Sequence, residues 1–508
     1  MDQASSRSTT CSQEGFIRDK GEASKRIVKS KVAVELHLLP TDVLRDVLSR
    51  LSLKQAVRMS GLSREWRRLG ICHPDLVFTK DTFFGSNTTR CTDSRTMATE
   101  FITRVDNVLR LLWSSSTTAT TTVDMFVIKF RLARHQRHHI DRWIDFSTAS
   151  RTKHLGLDLF GWSGREEDLY VVPLCKLSGP DGSCIKSLDM AYVCLKLPPS
   201  FRGITNLRKL SLHEVSVDAS DLQGLLVTCA FLESLSLDSC PLSSLSVREE
   251  LCQLQYLSVH ECEVGIIRLQ APNLTIFEFD DCLTQIVLSK SLKLSEATVV
   301  FKHTSYNWCT DELDYILTEL PTALPYVHKL FLNLVVQYKV QIFSKTHATF
   351  INLRHLNLNI DVLYNDEDTT WVMGLVKLLE LAPLLEELEL HIACDRYGLL
   401  DRIVTAVPGP LHRHLRSIHI TGFCNFVGIA ELALYILENA TVLKCMVLDP
   451  VLWMDYGYPY SGQFYSVSKG GSSEEFVRPK VTEEELRGRE FAKKHLDREE
   501  FCHILTIL

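Results

Sequence analysis

Hydrophobic residues recur at regular intervals through the middle of the chain. The repeated unit has the form apolar-x-x-apolar-x-apolar, as in LRKLSL from Leu207. Successive copies lie 20 to 32 residues apart, except for one step of 53 residues that leaves room for a degenerate copy around residues 292–301. A repeat of this length is typical of a solenoid, in which each unit packs on its neighbours. Clear copies begin at Leu207, Leu232, Leu254, Leu274, Val327, Leu353, Leu385, Leu415 and Leu443, and a weaker one at Ile185.

Each copy predicts one β-strand with an apolar side and a polar side. Side chains alternate along a strand, so Leu210 and Leu212 point to one side and the residues between them to the other. One strand cannot bury its apolar side, whereas stacked units form a parallel sheet over a continuous core. Residues 218–229 and 371–382 have helical spacing and are predicted to form the convex side. The sequence therefore predicts an α/β solenoid with a parallel sheet.

A different pattern occupies residues 38–78, where apolar residues fall at helical spacing. Pro40 precedes the first helix, where its missing N–H costs nothing. A second short pattern ends near Gly61, and a third starts at Ser63 and carries Trp66. Three short helices cannot bury this much apolar surface among themselves, so we expect a neighbour or a partner chain to complete their core. The face of the first helix consists of Val43, Leu44, Val47, Leu48 and Leu51.

Residues 35–78 resemble an F-box. The match consists of Leu39-Pro40, the first helical face, Ala56-Val57, Leu62-Ser63, Trp66-Arg67 and Pro74-Asp75-Leu76. Ser52 stands where the family usually has Pro, and Gly70 where plant members usually have a second Trp. A three-helix cap on the solenoid, with no partner, is the alternative. The resemblance implies docking on the Skp adaptor of a Skp–Cullin–F-box ubiquitin ligase through Leu39, Pro40, Val43, Leu44, Val47, Leu48, Val57, Leu62 and Trp66.

The repeats resemble the irregular leucine-rich repeats found behind plant F-boxes, and residues 420–450 are similar to the FBD region of plant F-box proteins. Together these resemblances indicate the plant F-box/FBD/leucine-rich-repeat family. They imply that the chain is the substrate-receptor subunit of a ubiquitin ligase, and that other subunits of the ligase carry out the catalysis. The predicted division is a disordered tail (1–34), an F-box (35–78), a linker region with irregular first repeats (79–184), a leucine-rich-repeat solenoid (185–416), an FBD-like region (417–450) and a C-terminal loop, helix and cap (451–508).

Composition narrows the class of function. The 508 residues are 45% hydrophobic and 23% charged, with a net charge of −6, and nothing in this balance points to nucleic acid. No apolar run is long enough to span a bilayer, and the N-terminus lacks the apolar core of a signal peptide. We therefore expect a cytoplasmic or nuclear protein, and 16 cysteines that remain reduced.

Three cysteines, Cys240, Cys262 and Cys282, occupy equivalent places in successive repeats. A buried ladder of thiols is the interpretation we favour, because cysteine in apolar surroundings behaves as a small hydrophobic residue. Zinc binding by the three thiols would need a fourth ligand, and the spacing of the sequence indicates none.

The candidates for catalysis are weak. His135, His138 and His139 lie close to Asp141, but arginines flank them and would repel a metal ion, so an exposed basic helix face is favoured. No glycine-rich phosphate loop or nucleophile motif is present. We therefore expect no catalytic residues, no metal and no cofactor in this chain.

The polar side of the strands is the predicted surface for a protein substrate. Its residues can make directional hydrogen bonds, and a few aromatic or charged positions should dominate binding. Tyr256 with His260 is the first predicted pair, and His355 with Glu387 the second. The alternative function is a leucine-rich-repeat recognition or scaffold protein that acts without the ligase.

Overall fold

The computed structural model describes residues 40, 43, 46, 50–51, 53–55, 73–84, 94–114, 123–160, 168–178, 184–302, 312–336, 348–362, 370–394, 409–423, 427–451 and 483–508. These residues form 21 strands. In chain order they are β1 (Asp75–Thr79), β2 (Met125–Lys129), β3 (His154–Asp158), β4 (Tyr170–Val172), β5 (Ser187–Ala191), β6 (Val193–Leu195), β7 (Lys209–His213), β8 (Ser216–Val217), β9 (Ser234–Asp238), β10 (Leu245–Glu250), β11 (Tyr256–His260), β12 (Ile266–Gln270), β13 (Ile276–Asp281), β14 (Gln285–Ser289), β15 (Glu296–Phe301), β16 (Lys329–Val336), β17 (His355–Val362), β18 (Glu387–Cys394), β19 (Ser417–Thr421), β20 (Cys445–Asp449) and β21 (Leu505–Ile507).

One parallel sheet of 15 strands runs through the described chain, in the order β1-β2-β3-β5-β7-β9-β11-β13-β15-β16-β17-β18-β19-β20-β21. Every predicted repeat supplies one of these strands, and β15 fills the long step in the repeat pattern as predicted. The predicted α/β solenoid with a parallel sheet is therefore confirmed.

Burial alternates along the strands as the repeat pattern predicts. Leu210 is paired in register with Leu235 on the next strand, and Leu235 with Leu257. All three are fully buried, while the residues between the leucines are half-buried or exposed. Because the same positions align from strand to strand, the leucines form continuous rows in one core.

The core is closed on its other side by two small parallel sheets and by helices. The small sheets have the orders β4-β6-β8 and β10-β12-β14. Two of the helices, α5 (Ala219–Val227) and α8 (Thr370–Leu381), match the helices predicted for residues 218–229 and 371–382. Beyond residue 73 the described helices are α1 (Lys80–Phe83), α2 (Ser94–Ser114), α3 (Arg137–Ala149), α4 (Leu174–Leu177), α5 (Ala219–Val227), α6 (Glu312–Thr318), α7 (Leu320–Ala323), α8 (Thr370–Leu381), α9 (Val427–Asn439) and α10 (Glu483–Leu496).

The large sheet starts earlier than the sequence suggested. Strand β1 begins at Asp75, so the predicted boundary at residue 78 falls within a strand. Leu53 is buried in the same hydrophobic core as the repeats, and the Lys54 ammonium lies 3.4 Å from the Asp81 carbonyl. The sheet therefore begins within the predicted F-box-like segment.

The far end of the sheet is formed by the FBD-like region and the C-terminal residues. Strands β19 and β20 extend the sheet of the repeats, and β21 pairs with β20 as the last strand. Helix α9 packs against α10. The predicted division between repeats and FBD-like region therefore separates neighbouring strands of one continuous sheet.

Two of the three predicted ladder cysteines are fully buried, namely Cys240 and Cys262. For the third cysteine the prediction was wrong, because Cys282 is only half-buried. A buried carboxylate, Asp281, lies beside it and accepts backbone N–H groups of Cys262 (3.0 Å), Val264 (3.2 Å) and Cys282 (2.7 Å). A carboxylate that accepts three backbone hydrogen bonds is well satisfied in a core, so the turn at this repeat is held by Asp281.

The histidines near residue 138 do not converge on one point. His135 and His138 are exposed, whereas His139 contacts Asp106 at 3.2 Å. Asp141 instead accepts a hydrogen bond from the hydroxyl of Tyr170. Within the described ranges, no cluster of three or more His, Cys, Asp or Glu side chains is arranged to hold a metal ion. None of the described helices has the length and apolar character needed to cross a bilayer.

Candidate protein-interaction surface

The polar side of the large sheet, opposite its core, is the candidate surface, and we call it the open face. Its side chains stand in rows across the strands, because the strands pair in parallel and in register. The predicted orientation of the polar residues on β7, β9, β11, β17 and β18 is confirmed by the alternation of burial. All four predicted substrate-binding residues lie on this face.

His260 lies in a row of alternating charge at the carboxyl ends of the strands. Its Nδ1 is 3.0 Å from Asp238, and its Nε2 is 2.8 Å from Asp280 on the next strand. Hydrogen bonds to Asp238 and then to Asp280 raise the pKa of His260 to about 9, although burial opposes the shift. The imidazole is therefore a cation at neutral pH, held between two carboxylates.

Asp238 and Lys302, which lie next to His260 and Asp280 in this row, are also charged. Burial alone would raise the pKa of Asp238, but hydrogen bonds from His260, His213 and Ser239 outweigh burial and lower the pKa to about 2. Beyond Asp280, the Lys302 ammonium lies 3.3 Å from that carboxylate. We call His213, Asp238, His260, Asp280 and Lys302 the charge ladder.

Tyr256 stands on the same strand as His260, at its other end. Its hydroxyl donates to Glu278 at 2.5 Å. Burial, followed by this hydrogen bond, raises the pKa of Tyr256 to about 12, so the phenol stays protonated. Both members of the first predicted pair thus already have partners within the sheet.

The second predicted pair is a direct contact. His355 Nδ1 lies 3.0 Å from Glu387 Oε2, across β17 and β18. The two side chains are 39% and 59% exposed, and a contact between two such exposed polar side chains contributes about 0–1 kcal/mol. A protein partner can therefore separate His355 from Glu387 at little cost, unlike His260, which is 17% exposed and is held between two carboxylates.

Neighbouring positions extend this second region of the open face. The Asn357 amide donates to Glu389 at 2.6 Å, and His391 Nδ1 lies 2.7 Å from the Thr421 hydroxyl. Burial, with a smaller contribution from His419, lowers the pKa of His391 to about 4. His391 is therefore neutral at pH 7. Four strand spacings, or about 19 Å, separate β11 from β17, so the two predicted pairs occupy different parts of the open face.

Residues that follow the strands were not predicted, and they form the rim of the open face. Tyr192, Glu214, Ser239 and Glu261 each follow a strand, and each has a positive φ between 46° and 56°. Their backbone N–H groups donate to a carbonyl at the carboxyl end of the next strand, as Glu214 does to Asp238 at 2.8 Å. The ends of the repeated strands could have indicated where these turns lie. Nothing in the sequence indicated that residues other than glycine would adopt the left-handed conformation there.

The predicted adaptor-binding residues lie mostly outside the described part of the chain. Of these residues, the structure describes Pro40 and Val43, which are both exposed, and Val43 is helical and 40% exposed. The others, Leu39, Leu44, Val47, Leu48, Val57, Leu62 and Trp66, are not among the described residues.

A long parallel sheet with a polar open face, behind an F-box-like segment, defines a leucine-rich-repeat recognition protein. The family model described as the At1g61320/AtMIF1 LRR domain matches residues 114–477, and the F-box domain model matches residues 36–70. The chain belongs to the plant F-box/FBD/leucine-rich-repeat family.

Similar proteins from Arabidopsis thaliana carry the same combination of modules in their names. The F-box/FBD/LRR-repeat protein At1g13570 is 27% identical over 69% of this chain and 74% of its own length. The FBD-associated F-box protein At5g22720 is 26% identical over 84% of this chain and 90% of its own length. The F-box/LRR-repeat protein At3g03360 is 22% identical, over 76% and 74% respectively. These likenesses support a role as an F-box protein in substrate recognition, in a family whose members are typically non-catalytic adaptors.

Proposed function

We propose that this protein is the substrate-recognition subunit of a Skp–Cullin–F-box ubiquitin ligase. The observation that carries the proposal is the F-box match over residues 36–70, in one chain with a parallel sheet whose open face is polar. The F-box docks on a Skp-family adaptor and through it on a cullin. The open face binds the protein to be ubiquitinated.

In this proposal the contribution of the chain to catalysis is positional. Tethering a substrate next to the ubiquitin-carrying enzyme turns a bimolecular encounter into an effectively intramolecular one. The thioester chemistry belongs to other subunits, and the receptor sets which protein is held within reach. We further propose that the receptor works in the cytoplasm or the nucleus, which a fluorescent fusion to the full chain tests.

The geometry favours His355 with Glu387 as the stronger of the two predicted substrate-binding pairs. Both side chains are accessible, and their mutual contact is weak. His260, by contrast, is 17% exposed and is held by two carboxylates, so a substrate gains little by contacting it. Tyr256 presents its ring while its hydroxyl stays bonded to Glu278.

Substrate capture tests the proposal. Proximity labelling by a fusion to the full chain identifies candidate substrates, and each is then tested for ubiquitination with the reconstituted ligase. Replacing His355 and Glu387 with Ala is expected to reduce substrate capture while adaptor binding stays at the wild-type level. Arg208→Ala with Glu233→Ala is the matched control, because this cross-strand ion pair directly precedes β7 and β9, six strand positions away from β17 and β18 in the sheet. Capture that depends on the control pair and not on His355 and Glu387 contradicts the assignment.

The alternative is a recognition or scaffold protein that acts without the ligase. It shares the open face but needs no adaptor. A purified chain that captures its partner, and shows no binding to any plant Skp adaptor at micromolar concentration, favours this alternative.

A further inference from the structure

An exposed phenylalanine lies at the carboxyl end of β3. Phe160 is 64% exposed, although aromatic side chains of this size usually lie in the interior. Its backbone N–H lies 3.3 Å from the Asp158 carboxylate. Its ring meets the Tyr192 ring edge-to-face, with 5.4 Å between ring centroids and an interplanar angle of 88°. Tyr192 in turn meets His213 at 5.5 Å and 82°. The three rings form a row that starts in solvent at Phe160 and ends at the charge ladder.

Tyr192 is held in an unusual backbone conformation at the centre of this row. Its φ is +56°, in the left-handed region that a bulky side chain seldom adopts. Backbone strain of this kind persists only where the surrounding contacts hold it. The Tyr192 hydroxyl donates to Glu214 Oε1 at 3.1 Å. Burial, followed by that hydrogen bond, raises the pKa of Tyr192 to about 12, so the hydroxyl remains a donor.

The charge beside the rings is negative. The Asp158 carboxylate acts on Tyr192 electrostatically and has a distant cation, the Lys129 ammonium, at 3.9 Å. The Glu214 carboxylate has the neutral Tyr192 hydroxyl as its partner, and no ion pair joins it to a cation among the described residues. Its negative charge is therefore uncompensated and lies directly next to an aromatic surface.

We infer that Phe160, Tyr192 and Glu214 form a docking site for a cationic segment of a partner protein, one that carries arginine or lysine. The faces of aromatic rings attract cations, and the long stem of Arg or Lys packs well on a ring. A guanidinium or ammonium that packs on both Phe160 and Tyr192 gains as a counter-ion the carboxylate of Glu214, which lies 3.1 Å from the Tyr192 hydroxyl. An anionic segment would meet the repulsion of Asp158 and Glu214. The inference deepens the proposed function, because the partner would be the captured substrate.

Two synthetic peptides test the site on the full-length chain. Both carry a fluorophore and the same flexible sequence with three arginines, which are replaced in the second peptide by citrulline, a neutral isostere. Fluorescence anisotropy is expected to give about tenfold weaker binding for the citrulline peptide. Phe160→Ser and Glu214→Gln should each weaken binding of the arginine peptide about tenfold, and Phe160→Trp should retain it.

Matched substitutions elsewhere serve as controls. Phe231 is 52% exposed and precedes β9 at the opposite end of the strands, and Glu249 is an exposed carboxylate on β10. Phe231→Ser and Glu249→Gln should leave the affinity for the arginine peptide within about twofold of wild type. Equal binding of both peptides, or equal losses from rim and control substitutions, overturns the inference.

The same preparations are also tested for binding to the Skp adaptor. Loss of the arginine preference with intact adaptor binding contradicts the docking site alone. An intact arginine preference without adaptor binding contradicts the ligase proposal and leaves the docking site standing.

Discussion

His73 joins the F-box-like segment to the first strand of the sheet through the Leu51 carbonyl. Its Nε2 donates to that carbonyl at 2.9 Å, and its Nδ1 accepts the backbone N–H of Asp75 at 3.1 Å. The ring is 5% exposed, so both hydrogen bonds are shielded from water. His73 therefore sets the position of the F-box-like segment relative to the sheet.

Replacing His73 with Ala should loosen this junction. Two half-buried backbone groups lose their partner, at a cost of about 1–3 kcal/mol. The amide of Asp75 is expected to exchange faster with deuterium, and the thermal midpoint should fall. His138→Ala, at an exposed position, is the control and should change neither measurement. Unchanged exchange at Asp75 contradicts a structural role for His73.

The charge ladder should stabilise the fold in a defined range of pH. Because the pKa of His260 is raised to about 9, its contribution is complete below the ordinary histidine pKa of about 6.5 and is lost as the pH rises through 9. His260→Gln should therefore lower the denaturant midpoint most near pH 6 and least near pH 9.5. A cost that is the same at both values would show that His260 is not charged in the folded protein.

His391 should give the opposite dependence on pH. Its pKa is lowered to about 4, so the unfolded chain binds a proton more readily than the folded chain. Stability should fall as the pH decreases from about 6.5 towards 4. Replacing His391 with Asn removes this dependence of stability on pH. The difference in free energy of unfolding between wild type and the variant should therefore shrink as the pH decreases from about 6.5 towards 4. Denaturant titrations at pH 4.5, 5.5 and 7 provide the measurement.

The cysteines should differ in reactivity according to burial. Cys240 and Cys262 are fully buried, whereas Cys175, Cys252 and Cys502 are exposed. In the native protein, iodoacetamide should modify the exposed group within minutes and leave the buried pair unmodified until denaturant is added. Peptide mapping by mass spectrometry distinguishes the five sites. Rapid modification of Cys240 in the native protein would contradict the burial of Cys240 and Cys262 in the core.

Much of the sheet could be predicted, because the order of apolar and polar residues in each repeat indicates which side chains are buried. The alternation of Leu210 and Leu212 with polar neighbours sets which side faces the core, and parallel stacking carries the pattern to every strand. Strand β1 was missed, since Asp75–Thr79 is a single short strand that overlaps the end of the predicted F-box at residue 78. Cys282 was misplaced because the buried Asp281 is its immediate neighbour.

The contacts of the open face could be predicted only in part. The sequence placed His260 and His355 on the polar side, but it could not show which of them is already paired. That distinction depends on neighbouring strands 20 or more residues away in the chain, such as those carrying Asp238, Asp280 and Glu387. The rim residues Phe160 and Tyr192 were missed for a related reason, because they follow the strands and lie outside the repeating pattern.

Binding to the Skp adaptor tests the central claim most directly. Leu44→Asp together with Leu48→Asp should weaken binding at least about 100-fold, because each buried leucine is worth about 1.5–3 kcal/mol. The control is Leu292→Asp with Leu411→Asp, two leucines that are 65% and 55% exposed in the repeats. Isothermal titration with a plant Skp adaptor should show tight binding by wild type and control, loss of binding by the F-box variant, and the same circular dichroism for all three. Wild-type affinity in the Leu44/Leu48 variant, or no binding by the wild-type chain, contradicts the account.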